Sequence, residues 1–468
     1  MSSGIGRVAV IGGGIAGLSA AWHLSKYADV TVYEAEAQVG GHARTIDAPE
    51  PDGGYIPIDV GFIVYNSLNY PNLTELFSYV DVETTATSMS LAVSLDGGAY
   101  EYSGRGIGGL FGQRRNILRP DHWRVVRDLR RFFAEAPVAR SLPNDVTLGD
   151  WLSSQNYSDA FVARHIIPMG AAIWSTPADQ MLGFPVAAFM RFFENHGLLK
   201  VRNRPQWRTV VGGSRNYVER LVEATDAAWR VSTPVREVRP HSAGVTVVSP
   251  DGSSDDFDRA VIATHGDVAL SLLGEADALS RDILGAFKTT ANEAVLHRDA
   301  RLMPKRRRLW SSWNYVTSQG AAPASSASVT QGDRADLCVS YWMNSLQPLK
   351  TSNDWFVTLN PSDAVSEETV AARLAWRHPL FDRGAIEAQS RLWSLQGRGN
   401  IWFCGSYFGY GFHEDACQAG LAVAEDISGV ARPWTRDGQN DRLHLPRDWP
   451  HHASARGATA GVREDAHA

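Results

Sequence analysis

The chain has 468 residues and a formal net charge of −6. Its length exceeds the roughly 100–200 residues of one ordinary domain and predicts two or three domains, while the negative charge gives no reason to expect a nucleic-acid partner. Because Cys338, Cys404 and Cys417 form neither a CxxC pair nor a metal-ligand spacing, and no segment resembles a signal peptide or a membrane span, we expect a cytoplasmic protein with reduced thiols and no metal site.

The first elements form a βαβ unit. Residues Val8–Ile11 predict a buried parallel strand, Gly12–Gly17 a turn, Leu18–Lys26 an amphipathic helix and Asp29–Tyr33 a second strand. This order is typical of a nucleotide-binding domain.

Later elements are less regular. The segment from Tyr70 to Phe193 predicts mainly helices, Gly212–Ala224 a turn that leads into a helix, and Leu421–Ile427 part of a closing helix. Further strands are predicted at Val231–Val238, Val245–Val248, Ala260–Thr264, Leu309–Tyr315, Leu337–Met343, Trp355–Leu359 and Ile401–Cys404.

Elements suited to nucleotide binding lie near both ends of the chain and around residues 205–265, which predicts a discontinuous cofactor domain. We place this domain at residues 1–75, 206–285 and 392–429, and a second domain at 76–205 and 286–391. Residues 430–468 carry little apolar periodicity and predict a mobile tail.

The strongest motif is G-x-G-x-x-G, formed by Gly12, Gly14 and Gly17 directly after the first strand. In such a motif the first glycine permits the tight turn, the second admits a pyrophosphate and the third lets helix and strand pack closely. The N–H groups at the start of the helix, those of Ile15 and Ala16, would face the phosphates. A glycine-rich turn without a ligand is the alternative.

Glu34 ends the second strand, where an acidic residue accepts hydrogen bonds from ribose hydroxyls. A carboxylate at this position also disfavours a 2′-phosphate, so NADP is not expected at this site.

The segment Ala35–Thr45 resembles the one that follows the ribose carboxylate in flavin amine oxidases, phytoene desaturases and protoporphyrinogen oxidases. The resemblance implies that Ala35, Gly41 and a basic residue lie along FAD. His42 stands where those families usually have arginine, and Arg44 is expected to supply the charge instead. The alternative for Arg44 is a plain surface arginine.

Two further segments carry the resemblance. Gly61 and Phe62 match a turn that passes the flavin ring, with an ordinary turn as the alternative, and Val235 matches a residue whose backbone touches the adenine. The segment Ile401–Gly420 matches the C-terminal flavin motif, in which Gly405 and Ser406 precede a helix whose first N–H groups, near Asp415 and Ala416, face the flavin. Ser406 replaces the acidic residue that holds the ribityl chain in relatives.

The resemblance covers most of residues 7–427 and implies an α/β fold, with a Rossmann-like FAD-binding domain of the glutathione-reductase type and an inserted α+β substrate domain. The chain is also similar to the oxidase-like N-terminal region of plant cyclopropane-fatty-acid synthases. This likeness implies an FAD-dependent oxidoreductase that oxidises or desaturates an apolar substrate, preferably a lipid acyl chain, by hydride transfer to flavin N5. Alternatives are an amine oxidase, a flavin-dependent isomerase, and an FAD-stabilised non-catalytic partner of a lipid methyltransferase.

His413 and Tyr410 are the candidate catalytic residues, because they precede the helix expected to face the flavin and histidine can move a proton near neutral pH. Packing in a core is the alternative for these and for the remaining aromatic and polar candidates, which are His165, Trp174, His196, Trp207, Trp313, Asn314, Tyr315, Tyr341, Trp342, Asn344 and Tyr407.

Residues 105–133 contain eight arginines against two acids, with apolar residues between them. On a helix this pattern predicts a basic amphipathic surface that could contact an anionic membrane, placing the protein on the inner face of the membrane, or hold an anionic substrate. A solvated helix face is the alternative.

Overall fold

A computed structural model describes residues 4–143, 145–174, 181–195, 199, 205–318, 338–361, 363–447 and 449. The chain forms two compact units. The first unit comprises Met1–Val39, Leu221–Leu284 and Gln389–Ala468, and the second comprises Gly40–Arg220 and Gly285–Ala388. Residues 40–75 and 206–220 therefore group with the second unit, whereas the sequence assigned them to the cofactor domain.

The strands of the described residues are, in chain order, β1 (Arg7–Ile11), β2 (Asp29–Tyr33), β3 (Thr45–Pro49), β4 (Tyr55–Asp59), β5 (Thr84–Thr87), β6 (Leu91–Leu95), β7 (Tyr100–Ser103), β8 (Trp207–Val210), β9 (Ala227–Arg230), β10 (Glu237–His241), β11 (Gly244–Val248), β12 (Ser254–Phe257), β13 (Arg259–Ile262), β14 (Lys288–His297), β15 (Trp313–Val316), β16 (Cys338–Trp342), β17 (Phe356–Leu359), β18 (Val370–Leu380) and β19 (Ile401–Phe403). The α-helices are α1 (Ile15–Leu24), α2 (Pro71–Tyr79), α3 (Gly106–Leu110), α4 (Pro120–Ala139), α5 (Leu148–Ser154), α6 (Asp159–Phe161), α7 (Ile167–Trp174), α8 (Val186–Asn195), α9 (Arg215–Glu223), α10 (Gly266–Leu272), α11 (Ala278–Leu284), α12 (Met343–Leu346), α13 (Arg383–Gln389) and α14 (His413–Ser428).

A five-stranded parallel sheet, in the order β19-β13-β1-β2-β9, forms the centre of the first unit. β1 lies in the middle, and its last four residues are buried, as expected for a parallel strand covered on both faces. The predicted strands Val8–Ile11 and Asp29–Tyr33 are confirmed as β1 and β2. A separate antiparallel sheet, in the order β10-β11-β12, completes the strands of this unit.

Helix α1 is buried along its whole length of ten residues, so the predicted amphipathic character is wrong. It packs against α14, where a Cβ at Gly420 would lie only 2.2 Å from the carbonyl oxygen of Ala16. Glycine therefore permits a helix crossing that a larger residue would prevent. The Ser19 hydroxyl donates to the same Ala16 carbonyl at 3.1 Å.

The described part of the predicted tail, residues 430–447 and 449, is packed against the first unit rather than mobile. Arg432 is buried and its guanidinium contacts both carboxylate oxygens of Glu425, at 2.8 and 2.6 Å. Trp434 stacks on Trp22 with ring centroids 5.6 Å apart. The sequence pattern missed this packing because ion pairs and one indole hold the segment, whereas the prediction relied on apolar periodicity.

The second unit contains a seven-stranded mixed sheet in the order β18-β14-β17-β16-β15-β6-β7. Only the β15–β6 pair is parallel among its described pairs. The mainly helical prediction for Tyr70–Phe193 is wrong over β5, β6 and β7. These strands have four or five residues each, and β5 and β6 pair with the distant β8 and β15, which local periodicity does not register.

Helices cover part of this unit through an aromatic core. Phe132 on α4 contacts the rings of Trp151, Phe161, Phe189 and Phe193 at centroid distances between 5.7 and 6.4 Å. A π-helical turn, Val162–Ile166, joins α6 to α7. Among the described residues, no helix combines the length and the hydropathy needed to cross a bilayer.

Candidate flavin site

The glycine turn after β1 has the geometry that its motif predicts. Gly12 has a φ of +104°, and a Cβ there would lie 2.7 Å from the Ala263 carbonyl oxygen. A Cβ at Gly17 would lie 1.9 Å from the Gly12 carbonyl oxygen, so helix and turn are in close contact. A Cβ at Gly14, in contrast, would meet no atom within 4 Å. The turn thus leaves open space at the one glycine that a pyrophosphate approaches.

The first turn of α1 offers hydrogen-bond donors to this space. Gly14 is the N-cap residue and has no side chain that could cap the helix. Within the described part of the chain, no acceptor is found for the N–H groups of Ile15 and Ala16, whereas the N–H of Leu18 is already bonded to the Gly14 carbonyl at 2.8 Å. Such free donors, together with the positive end of the helix dipole, suit an anion.

Glu34 lies beside the same turn. Its carboxylate accepts hydrogen bonds from the N–H groups of Gly13 and Glu36, at 2.8 and 2.9 Å. A carboxylate can accept about four hydrogen bonds, so further acceptor capacity remains for ribose hydroxyls. Ala35, next to it, is exposed. The structure therefore brings Glu34 and the glycine turn together, as the motif requires.

Val235 lies in an irregular segment and not in a strand, so the predicted strand Val231–Val238 is wrong over residues 231–236. The segment is tied to Glu34 by a bond from the Thr233 N–H to the Glu34 carbonyl at 2.8 Å. Neither the N–H nor the carbonyl of Val235 is bonded among the described residues. An unpaired backbone suits the predicted main-chain contact with an adenine, because a paired strand would have used these groups.

The C-terminal turn that follows β19 is filled by its own side chains. A Cβ at Gly405 would lie 2.6 Å from a ring carbon of Tyr407 and 3.0 Å from the Thr264 carbonyl oxygen. Ser406 is half-buried, and its carbonyl accepts from the N–H groups of Gly409 and Gly411. Its hydroxyl makes no hydrogen bond in the described structure, so it can serve the ribityl hydroxyl as predicted.

The start of α14 is held by buried charges. The Asp415 carboxylate accepts from the Phe412 N–H at 2.7 Å and from the Arg442 guanidinium at 3.1 Å. Burial raises the pKa of Asp415, and Arg442 opposes this rise. Ala416 is a correction to the prediction, because its N–H already donates to the Phe412 carbonyl at 3.2 Å. The donors that could face a flavin are those that precede residue 416.

His413 and Tyr410 are both half-buried. Burial lowers the pKa of His413 to about 3, so its ring is neutral near pH 7. This contradicts the expectation that His413 titrates near neutral pH. Cys404 and Tyr407 next to this turn are buried too, and burial raises the pKa of each. The side chains of Cys404, Tyr407 and His413 at this turn are therefore uncharged near pH 7.

In the second unit, the predicted flavin residues lie on two antiparallel segments that continue the pairing of β3 and β4. Val60 and Phe62 donate their N–H groups to the carbonyls of Arg44 and His42, at 2.9 and 2.8 Å. A Cβ at Gly61 would lie 2.1 Å from the His42 carbonyl oxygen, so this close approach by itself requires glycine.

The side chains of these two antiparallel segments make different contacts. The His42 ring stacks on Trp376 at a centroid distance of 4.6 Å, and Phe62 packs edge-on against Tyr217 at 6.0 Å. The half-buried Arg44 guanidinium makes no ion pair or hydrogen bond among the described residues. Its donors therefore remain available for a phosphate group. Gly41 is half-buried with a φ of +55°.

A buried polar cluster in the second unit was missed by the sequence analysis. The Asp59 carboxylate accepts from the hydroxyls of Thr45 and Ser214, at 2.6 and 2.8 Å, and from the Gln347 amide at 3.1 Å. Burial raises the pKa of Asp59 to about 6. The acidic residue directly before Val60-Gly61 was the available signal. This cluster explains why residues 45–59 and 214 belong to one unit.

Two other predictions concern residues that the structure does not fully describe. His196 lies outside the described residues, as does the side chain of Trp174. Nothing in their surroundings enters the arguments that follow.

The parallel sheet, the open glycine turn and the ribose carboxylate define a dinucleotide-binding oxidoreductase fold. Residues 15–428 match the sequence pattern of the flavin-containing amine oxidoreductases, and the chain belongs to this family. FAD is therefore its cofactor, and the glycine turn, Glu34, the Val235 backbone and the Ser406 hydroxyl form a site in the first unit whose free donors and acceptors fit that cofactor.

Relatives agree with this assignment. A Mycobacterium tuberculosis protein named as a flavin-containing monoamine oxidase, AofH, is 27% identical over 263 residues, which are 53% of this chain and 54% of that protein. The chain thus spans about half the length of the curated relatives it matches.

Solved structures match over more of the chain. A protein named as a protoporphyrinogen oxidase from Exiguobacterium sp. 255-15 has a TM-score of 0.64 at 16% identity. The match covers 90% of this chain and 98% of that protein. A fatty acid isomerase from P. acnes, which produces CLA, has a TM-score of 0.61 at 15% identity over 88% of this chain and 96% of its own. At these identities the likeness shows the fold.

Proposed function

We propose that this FAD-dependent oxidoreductase oxidises or desaturates an uncharged, apolar substrate, with a lipid acyl chain as the preferred class. The proposal is supported by an aromatic and aliphatic face on the large sheet of the second unit. Only part of this face is buried. We call it the apolar sheet face, and its sheet members are Leu91, Val93, Leu95, Tyr100, Tyr102, Trp313, Tyr315, Val339 and Tyr341.

Strand register places these side chains in two neighbouring rows. Tyr315 pairs with Val93 on one side and with Val339 on the other, and this row is buried. Trp313 pairs in the same way with Leu91 and Tyr341, and these three residues are only half-buried. The rings of Trp313 and Tyr341 meet edge-on at 5.6 Å. A large apolar row left partly uncovered is a common feature of ligand sites.

The residues that make up the apolar sheet face are all uncharged. Two histidines contact its tyrosines: His122 Nδ1 lies 2.8 Å from the Tyr100 hydroxyl and His165 Nδ1 lies 2.9 Å from the Tyr102 hydroxyl. Burial lowers the pKa of His122. Burial lowers the pKa of His165 to about 4, so the ring is neutral at pH 7. Charged groups at the edge include the guanidinium groups of Arg164 and Arg119, 4.7 and 5.7 Å from the Tyr100 ring centroid. Asp121 lies beside them but is paired with Arg164 at 3.3 Å. The members of the apolar sheet face itself would give an ammonium substrate no anionic partner, whereas an acyl chain needs none.

The residues of this chain would then act mainly by binding and by excluding water. FAD, when bound, accepts a hydride equivalent from the substrate at N5. The apolar sheet face would bind and orient the acyl chain and exclude water from it. A proton also leaves the substrate in such an oxidation. The Tyr410 hydroxyl of the first unit is the proposed relay that passes this proton on to solvent, because His413 is a weak base.

Amine oxidation is the second candidate. It is favoured by the family and by the name of the Mycobacterium tuberculosis relative. An amine would have to react as the neutral base, because the apolar sheet face offers no carboxylate to an ammonium group.

The experiment that tests the proposal is an anaerobic visible spectrum of the FAD-loaded protein before and after addition of membrane lipid extract or of a panel of aliphatic amines. Bleaching of the flavin band by lipid supports acyl-chain oxidation, and bleaching by an amine alone contradicts it. Conversion of a lipid without bleaching or consumption of an acceptor would mean isomerisation. No response with any substrate would leave an FAD-stabilised partner of a lipid methyltransferase as the better description.

A pair of variants ties the result to the apolar sheet face. Trp313→Ala removes an indole from the half-buried row and should raise the lipid concentration needed for half-maximal bleaching roughly tenfold. Trp342→Ala is the matched control, since Trp342 lies next to Tyr341 on β16 and points to the opposite face, where it donates to Asp354 at 3.1 Å. Equal effects of both variants would show that the face does not bind the substrate.

A further inference from the structure

One surface of the second unit exposes large apolar side chains next to arginines. Ile107 is 79% exposed and Leu118 is 85% exposed. Ile117 and Trp123, from the same stretch, are 51% and 49% exposed. Isolated exposed apolar residues are ordinary, but four within seventeen residues of sequence are a concentration typical of an interaction site.

These side chains are exposed although the elements that carry them are well anchored. Leu110 on α3 packs against the apolar sheet face, and α4 buries His122, Val125 and Phe132. The loop between α3 and α4 is fixed by Asn116, whose amide donates to the Glu101 carbonyl at 2.9 Å. Outward-facing residues on anchored elements indicate a surface that is kept apolar, rather than a core that failed to close.

The surface is basic as well as apolar. Arg114 is exposed and has no ion pair in the described structure, and Arg124 pairs with Asp121 at 2.8 Å. Residues 305–308 add Lys305 and three arginines, and Lys305 and Arg308 are exposed without an ion pair among the described residues.

The two basic segments are contiguous. The Arg105 guanidinium donates to the Trp310 carbonyl at 3.1 Å, and a Cβ at Gly112 would lie 2.2 Å from a methyl carbon of Leu309. Between them lies a cavity of about 450 Å³ lined by Asp96–Ala99, Arg115, Lys305 and Arg306. We define the basic apolar surface as residues 105–124 together with 305–308.

We propose that the basic apolar surface docks this protein on an anionic lipid bilayer. The arginines and Lys305 would contact lipid phosphates, and Ile107, Ile117, Leu118 and Trp123 would enter the boundary between headgroups and acyl chains. Indole rings favour this boundary, and Trp123 already satisfies its N–H by donating to the Ile117 carbonyl at 2.8 Å.

A lipid surface fits these residues better than a nucleic acid or an acidic protein. Both of the latter would satisfy the cations, but neither needs four aliphatic and aromatic side chains projecting into solvent. A bilayer uses both features at once, because acyl chains bury the apolar groups while phosphates pair with the arginines. The overall charge of −6 also makes a local positive surface the part of the molecule that an anionic membrane would attract.

The test is co-sedimentation of the full chain with vesicles of phosphatidylcholine alone or mixed with phosphatidylglycerol, at low and high salt. We expect binding to the mixed vesicles only, and weaker binding at high salt. Ile107→Ser with Leu118→Ser should lower the partition coefficient at least roughly tenfold, because two inserted aliphatic groups are lost. Charge reversal by Arg114→Glu, Lys305→Glu and Arg308→Glu should abolish binding.

Matched controls separate the surface from general effects. Leu68→Ser with Val138→Ser removes two aliphatic side chains that are 61% and 72% exposed elsewhere in the second unit, and Arg236→Glu with Lys350→Glu reverses two exposed charges outside the surface. Both controls should bind vesicles like the original chain, and thermal unfolding should be unchanged in all variants because every changed residue is exposed.

The proposal is overturned if the original chain does not bind the mixed vesicles, if the controls lose binding as much as the surface variants, or if an acidic peptide or single-stranded DNA binds while vesicles do not. None of these measurements requires turnover, so their outcome is independent of the proposed substrate.

Discussion

The two glycine turns of the first unit differ in what fills them. At the N-terminal turn, a Cβ on Gly14 would meet nothing within 4 Å, and the N–H groups of Ile15 and Ala16 lack acceptors among the described residues. At the C-terminal turn, the side chains of Tyr407 and Asp415 occupy the space beside Gly405 and Gly409. The first turn is therefore built to receive a ligand, and the second is held rigid by its own chain.

The largest effect is expected at the filled turn. Arg442→Met leaves the buried Asp415 carboxylate without its cation and should lower the free energy of unfolding by about 3–5 kcal/mol, measured by chemical denaturation with and without FAD. Arg447→Met changes an exposed residue in the same segment. It is the control and should change the free energy of unfolding little. A loss below about 1 kcal/mol for Arg442→Met would mean that the pair does not hold the start of α14.

Gly405→Ala should cause the next largest loss of stability. Its added methyl would lie 2.6 Å from the Tyr407 ring, and overpacking of this kind costs about 1–3 kcal/mol. The loss should appear in the melting of the FAD-free protein, since the clash is with the chain itself. Gly108→Ala, where a Cβ would meet nothing within 4 Å, provides the comparison. Normal melting combined with weaker FAD binding would show that this turn, too, is open to the ligand.

Gly14→Ala should weaken FAD binding and leave the stability of the FAD-free protein unchanged. Its φ of −73° is accessible to alanine and its Cβ would have room, so the FAD-free protein should melt normally. The methyl would occupy the space of the pyrophosphate, and the Kd for FAD should rise at least roughly tenfold, or about 1.4 kcal/mol, in a flavin fluorescence titration. An unchanged Kd would refute the assignment of this turn to the cofactor.

The smallest effect near neutral pH concerns His413. Because its pKa falls from 6.5 to about 3 on folding, the unfolded chain binds the proton first, and the contribution of His413 to stability is complete above pH 6.5 and is lost as the pH falls towards 3. His413→Asn should make the free energy of unfolding fall less steeply with decreasing pH below pH 6.5, with exposed His241→Asn as the control. Between about pH 5 and 8 neither variant should change the pH profile of anaerobic flavin reduction. An inflection near neutral pH that disappears in His413→Asn would contradict this.

Sequence reasoning succeeded where structure is local. The turn, the helix start and Glu34 lie within about one βαβ unit, so glycine spacing and one acidic residue were enough to predict their geometry. It failed where partners are distant. Strand β6 pairs with β15, and Val231–Arg236 forms no strand because its backbone follows Glu34 and Glu36 instead. The partners of Asp59 and Arg442 were not predicted, since Ser214 lies 155 residues from Asp59 and Asp415 lies 27 residues from Arg442.

The likeness to the family ends at residue 428, but the packing of the first unit continues beyond it. Arg432 pairs with Glu425, and Arg442 reaches Asp415 at the start of α14. A boundary drawn by shared sequence would thus cut through a cooperative folding unit. A fragment that stops at the end of α14 would retain two buried carboxylates and lose both of their cations. It should aggregate or be digested by proteases, even though every residue of the flavin motifs is present.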